Sequence, residues 1–167
     1  NSGDSGDQWD NKGGGIIINN SNNITILSCN LQDNWSNNWG GGAYFNNSQI
    51  EMIDCVVENN YTEGDGGGLA IENSTVAFSN VSCNDNIAAN GPGGAIVSYG
   101  SVLNGINLVF YGNLAEEGSA FYLHNTSYDL IHILAYQNSS INSTFVFDET
   151  SGYITTVSYT HLTLPTT

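Results

Sequence analysis

Gly93-Gly94-Ala95-Ile96, followed after a short interval by Phe110-Tyr111-Gly112-Asn113, is the stretch of sequence that decides the fold. Relaxed copies of this pair recur along most of the chain, and the first glycine of each copy stands at Gly13, Gly40, Gly66, Gly93 or Gly118. The spacing is about 25 to 27 residues, and a fixed period in this range indicates a solenoid of stacked structural repeats.

Each repeat has the pattern of short strands joined by turns. Apolar residues follow the glycines, as in Ala43-Tyr44-Phe45, and side chains alternate between faces along a strand. No stretch has helical periodicity, and no Asn-Gly hairpin joins two strands. Copies of one strand are separated by a whole coil, so they must pair in parallel. The sequence therefore predicts an all-β fold, a right-handed single-stranded parallel β-helix of about six coils, each of 24 to 27 residues.

Two columns of the repeat have a structural explanation. An asparagine closes the third strand of each coil, and stacked asparagines are expected to bond amide to amide along the axis. This predicted ladder is Asn34, Asn60, Asn86, Asn113 and Asn138. The five first glycines are expected at turns where a Cβ would clash.

Composition and charge exclude several classes of partner. The chain has 167 residues, enough for one ordinary domain, and a net charge of −15 with Lys12 as its only cation. Such a surface repels phosphate, which argues against nucleic acid and anionic membranes. No apolar run approaches the roughly 18 residues that span a membrane, so the chain is not expected to be membrane-spanning.

The chain divides into three stretches. Residues 1–12 are expected to end a preceding coil, and residues 13–157 form the β-helix repeats. Residues 158–167 lack glycine and asparagine and resemble a translated sequencing-adapter remnant, so we interpret them as a non-native tail and exclude His161 from functional argument. The whole is expected to be part of a longer chain.

The motifs Gly-Gly-Ala-Ile (93–96) and Phe-x-x-Asn (110–113) resemble the repeats of the chlamydial polymorphic outer-membrane proteins. Similar repeats occur in secreted and surface β-helix proteins of the pectin-lyase-like architecture. The resemblance covers roughly residues 13–157. It implies an extracellular or cell-surface module, outer-membrane-associated if bacterial, that serves as an adhesin, passenger or stalk. Its expected partner is a protein or carbohydrate surface ligand.

Catalysis is disfavoured by the residues present. Polysaccharide lyases need an Arg or Lys base, and glycosidases need carboxylates about 5 to 10 Å apart. The chain has no arginine, and its acids stand in no such setting. We expect no catalytic residues and a non-enzymatic role. The alternative is a fragment of a carbohydrate-active enzyme whose catalytic residues lie outside this segment.

His124 and Asp148 fall in one column of neighbouring coils, with Ser127 nearby. A catalytic triad requires defined geometry among a nucleophile, a base and an acid. A hydrogen-bonded surface pair is the favoured interpretation.

No cofactor or metal is expected, although calcium is a weak candidate because it binds clustered carboxylates. The spacing of the acids before the glycines matches neither an EF-hand nor the calcium-binding nonapeptide repeat, and a solvated acidic edge is the favoured interpretation. The weak candidates are Glu63, Asp65, Glu116 and Glu117.

One outward column of the first strand is apolar and forms a candidate contact stripe. A contiguous apolar stripe on a solvent face marks a contact surface. It could be an adhesive face, a platform on which sugars stack, or a place covered by a missing loop or domain. Its members are Ile17, Tyr44, Ala70, Val97, Tyr122 and Val146.

Two covalent questions stay open at the level of sequence. Cys29 and Cys55 share a column, so they are either inward-facing thiols or a disulfide between coils. About ten Asn-x-Ser/Thr triplets occur, but several lie on the ladder, where stacking already explains the asparagine.

Overall fold

A computed structural model describes residues 12–160, and every regular element in that range is a β-strand. The strands in chain order are β1 (Ile16–Asn19), β2 (Ile24–Leu27), β3 (Asn30–Gln32), β4 (Trp35–Ser36), β5 (Ala43–Asn46), β6 (Gln49–Ile53), β7 (Val56–Glu58), β8 (Tyr61–Thr62), β9 (Leu69–Glu72), β10 (Thr75–Asn84), β11 (Ile87–Ala88), β12 (Ile96–Tyr99), β13 (Val102–Tyr111), β14 (Leu114–Ala115), β15 (Phe121–His124), β16 (Ser127–Tyr136), β17 (Ser139–Ser140), β18 (Phe145–Asp148) and β19 (Ser151–Thr160).

The strands form three parallel sheets that stack copy upon copy. The first sheet has the order β1-β5-β9-β12-β15-β18, and the third has the order β4-β8-β11-β14-β17. The second has the order β2-β6-β10-β13-β16-β19, with β3 and β7 pairing beside this path. Each strand pairs with its copy one coil away, as β5 does with β1 and β9. The predicted all-β parallel solenoid of about six coils is confirmed.

The interior is filled by the inward columns of the first and second sheets. One such column runs from Ile16 through Ala43 and Leu69 to Ile96 and Phe121, all in register. The buried side chains of this central core are apolar or thiol-bearing. The three cysteines are free, and Cys55 and Cys83 are buried. The structure therefore agrees with the interpretation as inward-facing thiols and not with a Cys29–Cys55 disulfide.

The corners of each coil are turned by residues in the left-handed backbone region. The five predicted glycines all have positive φ, and a Cβ on Gly66 (φ +71°) would lie 2.6 Å from the carbonyl oxygen of Leu69. Three further columns also have positive φ, mostly at Asn, Asp, Gly or Ser. One of these columns includes Asn47 and Asn73. A second column is Ser28, Asp54, Asn80, Asn107, His132 and Thr156. The third is Asp33, Asn59, Asp85, Gly112 and Gln137.

The predicted asparagine ladder is present. Asn86 Nδ2 donates to Asn113 Oδ1 at 3.0 Å and to the carbonyl oxygen of Val57 at 2.9 Å. Its Oδ1 accepts from both the backbone N and the Nδ2 of Asn60. The same amide-to-amide bond joins each neighbouring pair from Asn34 to Asn138. A glycan on Nδ2 of Asn60 is incompatible with the two bonds that this nitrogen donates, to Asn86 Oδ1 and to the carbonyl oxygen of Leu31. A glycan on Nδ2 of Asn138 is likewise incompatible with its bonds to the carbonyl oxygens of Phe110 and Tyr136.

The C-terminal end of the described structure differs from the predicted boundary at residue 157. Strand β19 pairs with β16 as far as the Tyr136–Thr160 pair, so three residues of the expected tail continue the second sheet. Residues 1–11 and 161–167, including His161, lie outside the described residues. Between residues 12 and 160, no helix is long and apolar enough to cross a membrane.

Candidate functional site

Three columns of side chains form the outer face of the first sheet. The leading column immediately precedes the glycines, the middle column is the predicted contact stripe, and the trailing column ends the strands. Backbone pairing stacks the leading column as Lys12, Trp39, Asp65, Pro92 and Glu117. The trailing column is Asn19, Asn46, Glu72, Tyr99, His124 and Asp148.

The expectation that the middle column faces solvent is wrong for three of its members. Tyr44, Ala70 and Val97 are each 0% exposed and form a second apolar cluster outside the central core. Their cover comes from the chain itself, because Trp39 and Tyr99 pack against them from the two flanking columns. Ile17, at one end of the stripe, is 42% exposed, and Tyr122 and Val146 are half-buried.

Four aromatic side chains form a continuous array over this cluster. The Trp39 ring lies 6.0 Å from the Tyr44 ring, edge to face, and 5.3 Å from the Tyr99 ring. The Tyr99 ring lies 6.1 Å from the Tyr122 ring. Tyr99 therefore bridges the trailing and leading columns and joins the ends of the array. Pairs at these centroid separations contribute about 0.5 to 1.5 kcal/mol each beyond the area they bury.

Two carboxylates hold the phenols of this aromatic array in place. The Tyr99 hydroxyl donates to Asp65 Oδ2 at 3.0 Å, and the Tyr44 hydroxyl donates to Glu72 Oε2. Burial raises the pKa of both phenols well above the usual range, and the neighbouring carboxylates raise it further. Burial also raises the pKa of Asp65, against the opposing effect of the hydrogen bond from Tyr99. The phenols thus stay protonated and act as donors.

The only lysine of the chain lies on the same surface. Lys12 Nζ is 4.5 Å from the centroid of the Tyr44 ring and 5.1 Å from that of Trp39, and it donates to the Tyr44 hydroxyl at 3.2 Å. Cation–π attraction at such distances contributes about 0.5 to 1 kcal/mol at exposed sites and more when desolvated. The outer face of the first sheet therefore already holds one ammonium group.

The predicted His124–Asp148 surface pair is confirmed. His124 Nδ1 lies 2.9 Å from Asp148 Oδ2, and both side chains are partly exposed. The Ser127 hydroxyl instead lies 3.3 Å from the Ser151 hydroxyl in the next coil.

The four weak calcium candidates do not gather into a metal-binding cluster in the part of the chain that the structure describes. Asp65 accepts the Tyr99 hydroxyl, Glu117 accepts from Asn142 Nδ2 at 2.6 Å, and Glu63 and Glu116 are exposed. Within residues 12–160, no group of three or more His, Cys, Asp or Glu side chains could hold a metal ion.

The second and third sheets offer less differentiated surfaces. A depression of about 300 Å³ on the second sheet is lined by residues that include Glu51, Thr75 and Ala77. On the third sheet, Trp35 is 54% exposed and Leu114 is also exposed, on strands whose copies stack in register. The sequence analysis did not single out these two surfaces.

Trp39, Glu72 and Tyr99 are the surface residues that sequence reasoning missed. Each stands one column away from the predicted stripe, at a position where other coils carry a different residue type. The available signal was the pair of small residues, Ala70 and Val97, between two tyrosines of the stripe. Small residues in an otherwise bulky column leave a hollow that a neighbouring large side chain fills.

The pairing pattern defines the class of fold, a parallel β-solenoid with a differentiated outer face on its first sheet. No family model, no curated protein and no solved structure matches this chain. The structure and the residues on its surface therefore carry the functional argument.

Proposed function

We propose that this chain is a non-catalytic module of an extracellular or cell-surface protein, of the adhesin, passenger or stalk type, which presents an extended solenoid face to a partner. The observation that carries the proposal is the aromatic array on the outer face of the first sheet, in which the partly exposed rings of Trp39, Tyr99 and Tyr122 lie around the buried Tyr44. Large, rigid aromatic side chains with a polar end are typical of binding surfaces.

The charge of the chain narrows the class of partner. With a net charge of −15, the surface disfavours polyanions and favours neutral or cationic ligands. Tyrosine and tryptophan rings stack on the apolar faces of sugars, and carboxylates such as Asp65 and Glu72 accept hydrogen bonds from sugar hydroxyls. The same groups attract the cationic side chains of a protein. Both a carbohydrate and a protein ligand fit this surface.

One pair of acids on the second sheet, Glu51 and Asp129, is too far apart to act as a glycosidase pair. Glu51 stacks on Ala77, and Ala77 on Asn104, which in turn stacks on Asp129. Three coils at about 4.8 Å each separate the two acids by about 14 Å. Glycosidases hold their two carboxyl groups about 5 to 10 Å apart. The alternative, a carbohydrate-active fragment, would need catalytic residues outside the described range.

The proposed location rests on the resemblance of the Gly93-Gly94-Ala95-Ile96 and Phe110-x-x-Asn113 motifs to repeats of the chlamydial polymorphic outer-membrane proteins. A rigid solenoid is suited to holding a binding face away from a surface, because each coil contacts only its neighbours and the stack extends in one direction. We propose that this segment is part of a longer chain of that kind.

Binding to a defined panel of probes tests the proposal. The wild-type chain is titrated at low salt with neutral oligosaccharides and with lysine-containing peptides. We expect at least one class to bind wild-type protein and to bind Tyr122→Ala more weakly. Tyr153→Ala is the matched control, because Tyr153 is an exposed tyrosine on the second sheet. Absence of binding to both classes, or equal weakening in both variants, contradicts the proposal.

Catalysis by the described residues themselves is tested with the same protein. Incubation with pectin and polygalacturonate should release no new reducing ends. Release that survives purification and disappears on mutation of a described carboxylate would overturn the proposed non-catalytic role.

A further inference from the structure

The ammonium group of Lys12 defines a binding geometry that can be looked for elsewhere on the same face. This ammonium group lies over the ring of Tyr44 in the middle column and near the ring of Trp39 in the leading column of the same coil. The carboxylate of Glu72, in the trailing column one coil further along, accepts the Tyr44 hydroxyl. Lys12 itself lies in the leading column, one coil before Trp39.

The same arrangement recurs three coils later, around Tyr122. Tyr122 is in the middle column, in register with Val97 and Val146 of the coils on either side. Asp148 occupies the trailing position that corresponds to Glu72, and Glu117 occupies the leading position that corresponds to Trp39. The ring of Tyr99 stands on the side of the preceding coil, 6.1 Å from that of Tyr122.

The carboxylates of Asp148 and Glu117 stand in the trailing and leading columns beside that of Tyr122, and their charges influence its phenol. The pKa of Tyr122 is raised, first by desolvation and then by the charges of Asp148, Glu117 and Asp65. The ring is half-buried and the Asp148 side chain is 53% exposed, so the site opens to solvent. Negative charge on both sides of an accessible aromatic ring is the environment that an ammonium group prefers.

Two elements of the Tyr44 site differ. Glu117 stands in place of Trp39, and Pro92 occupies the leading position that corresponds to Lys12, as the bond from Gly66 N to Pro92 O shows. Lys12 is the only lysine or arginine of this sequence, so no such side chain within the 167 residues can fill the second site while Lys12 fills the first. His124 is the nearest basic group, and it is bonded to Asp148.

We propose that Tyr122, Glu117 and Asp148 form a binding site for a primary ammonium group supplied by a partner, namely a lysine side chain in a cationic protein segment. This inference rests on the proposed binding function and selects a protein over a carbohydrate as the ligand. Lys12 on Tyr44 is the intramolecular example of the same contact, about 14 Å away along the axis. Neutral sugars lack the positive charge that this pair of carboxylates attracts.

Titration with a short peptide in which lysine alternates with glycine tests the site. The matched ligand replaces each lysine by norleucine, which keeps the alkyl chain and removes the ammonium group. We expect the lysine peptide to bind, its affinity to fall with added salt, and the norleucine peptide to bind at least tenfold more weakly because several contacts are lost together.

Three variants locate the binding. Tyr122→Leu removes the aromatic ring but keeps an apolar side chain, and we expect about a two- to fivefold weaker affinity for the lysine peptide. Glu117→Gln and Asp148→Asn remove one charge each and should weaken binding by a similar factor. Asp129→Asn is the control, because Asp129 is an exposed acid on the second sheet and its loss changes net charge equally. Thermal melting checks that each variant folds.

The outcomes separate this inference from the proposed function. Equal weakening in Asp129→Asn, or equal binding of the norleucine peptide, overturns the ammonium site. A neutral oligosaccharide that binds wild type and is lost in Tyr122→Leu, with no binding of the lysine peptide, overturns the inference and leaves the proposed function intact. If neither oligosaccharides nor peptides bind, both are overturned.

Discussion

Replacing Asn86 by alanine should destabilise the solenoid far more than the same replacement at the end of the ladder. Asn86 is 0% exposed and takes part in four side-chain hydrogen bonds. Its loss removes the acceptor of the Asn60 backbone N–H, a buried donor that would be left unpaired. An orphaned buried polar group costs about 1 to 3 kcal/mol, and each further lost bond costs about 1 kcal/mol. With three further bonds lost, the expected total is about 4 to 6 kcal/mol.

Asn34→Ala is the matched control. Asn34 is half-buried, and its side chain donates one ladder bond, to Asn60 Oδ1 at 2.9 Å. The backbone N–H of Asn34 keeps its own bond to Asn60 Oδ1 at 3.1 Å. No buried backbone group is orphaned, so we expect a loss of about 0.5 to 1.5 kcal/mol.

Thermal melting followed by circular dichroism measures the difference. For a chain of this size, 1 kcal/mol corresponds to about 2 to 4 °C. We therefore expect the melting temperature to fall by about 8 to 24 °C for Asn86→Ala and by about 1 to 6 °C for Asn34→Ala. Falls of equal size in the two variants, or a fall below about 2 °C for Asn86→Ala, would refute the reasoning that stacked amides hold the coils together.

Three further predictions concern the corners, the buried acid and the thiols. Gly66→Ala should cost at least about 1 to 2 kcal/mol because φ is +71°, whereas Gly100→Asn should be nearly neutral in melting experiments, since Asn holds that column in other coils. Burial raises the pKa of Asp65 in the folded state, so ionisation of this carboxyl group opposes folding. The cost in folding free energy is absent below the unfolded-state pKa, grows as the pH rises between the two pKa values, and is complete above the folded-state pKa. Asp65→Asn should therefore raise the melting temperature at neutral pH, and a gain that persists at acid pH would contradict this cause. In the native state a thiol reagent should modify half-buried Cys29 first and should reach Cys83 only on unfolding, because Cys83 is buried and burial also raises the pKa of its thiol. Mass spectrometry measures the two modification rates, and equal rates would contradict the inward placement of Cys83.

The parts of the fold that sequence predicts are those that the stacking repeats. A ladder position such as Asn60 meets another asparagine above and below, so the constraint appears several times in one chain. The glycines before each first strand recur for the same reason, because each corner needs a positive φ. Periodicity therefore substitutes for an alignment, and it fixes the sheets, their parallel pairing and their register.

The outer surface could not be predicted in the same way. Alternation along the strand correctly places Ala70 and Val97 on the outer side of the first sheet, but it does not determine what lies over them. Tyr99 reaches across these small residues to donate to Asp65, and this contact joins residues that are 34 positions apart in different columns. Among the described residues this contact occurs at a single place in the stack, so the periodicity of the sequence does not predict it.

This contrast indicates where function can be located in a solenoid. Inward and corner positions must satisfy the same packing and φ requirements in every coil, which leaves them little freedom to vary. Outward positions carry no such requirement, and here they change from Trp39 to Asp65 to Pro92 within one column. A binding surface can therefore develop on the outer face without disturbing the stacking of the coils. The Tyr44 and Tyr122 positions are two similar rings three coils apart, of which one holds the only lysine of the chain.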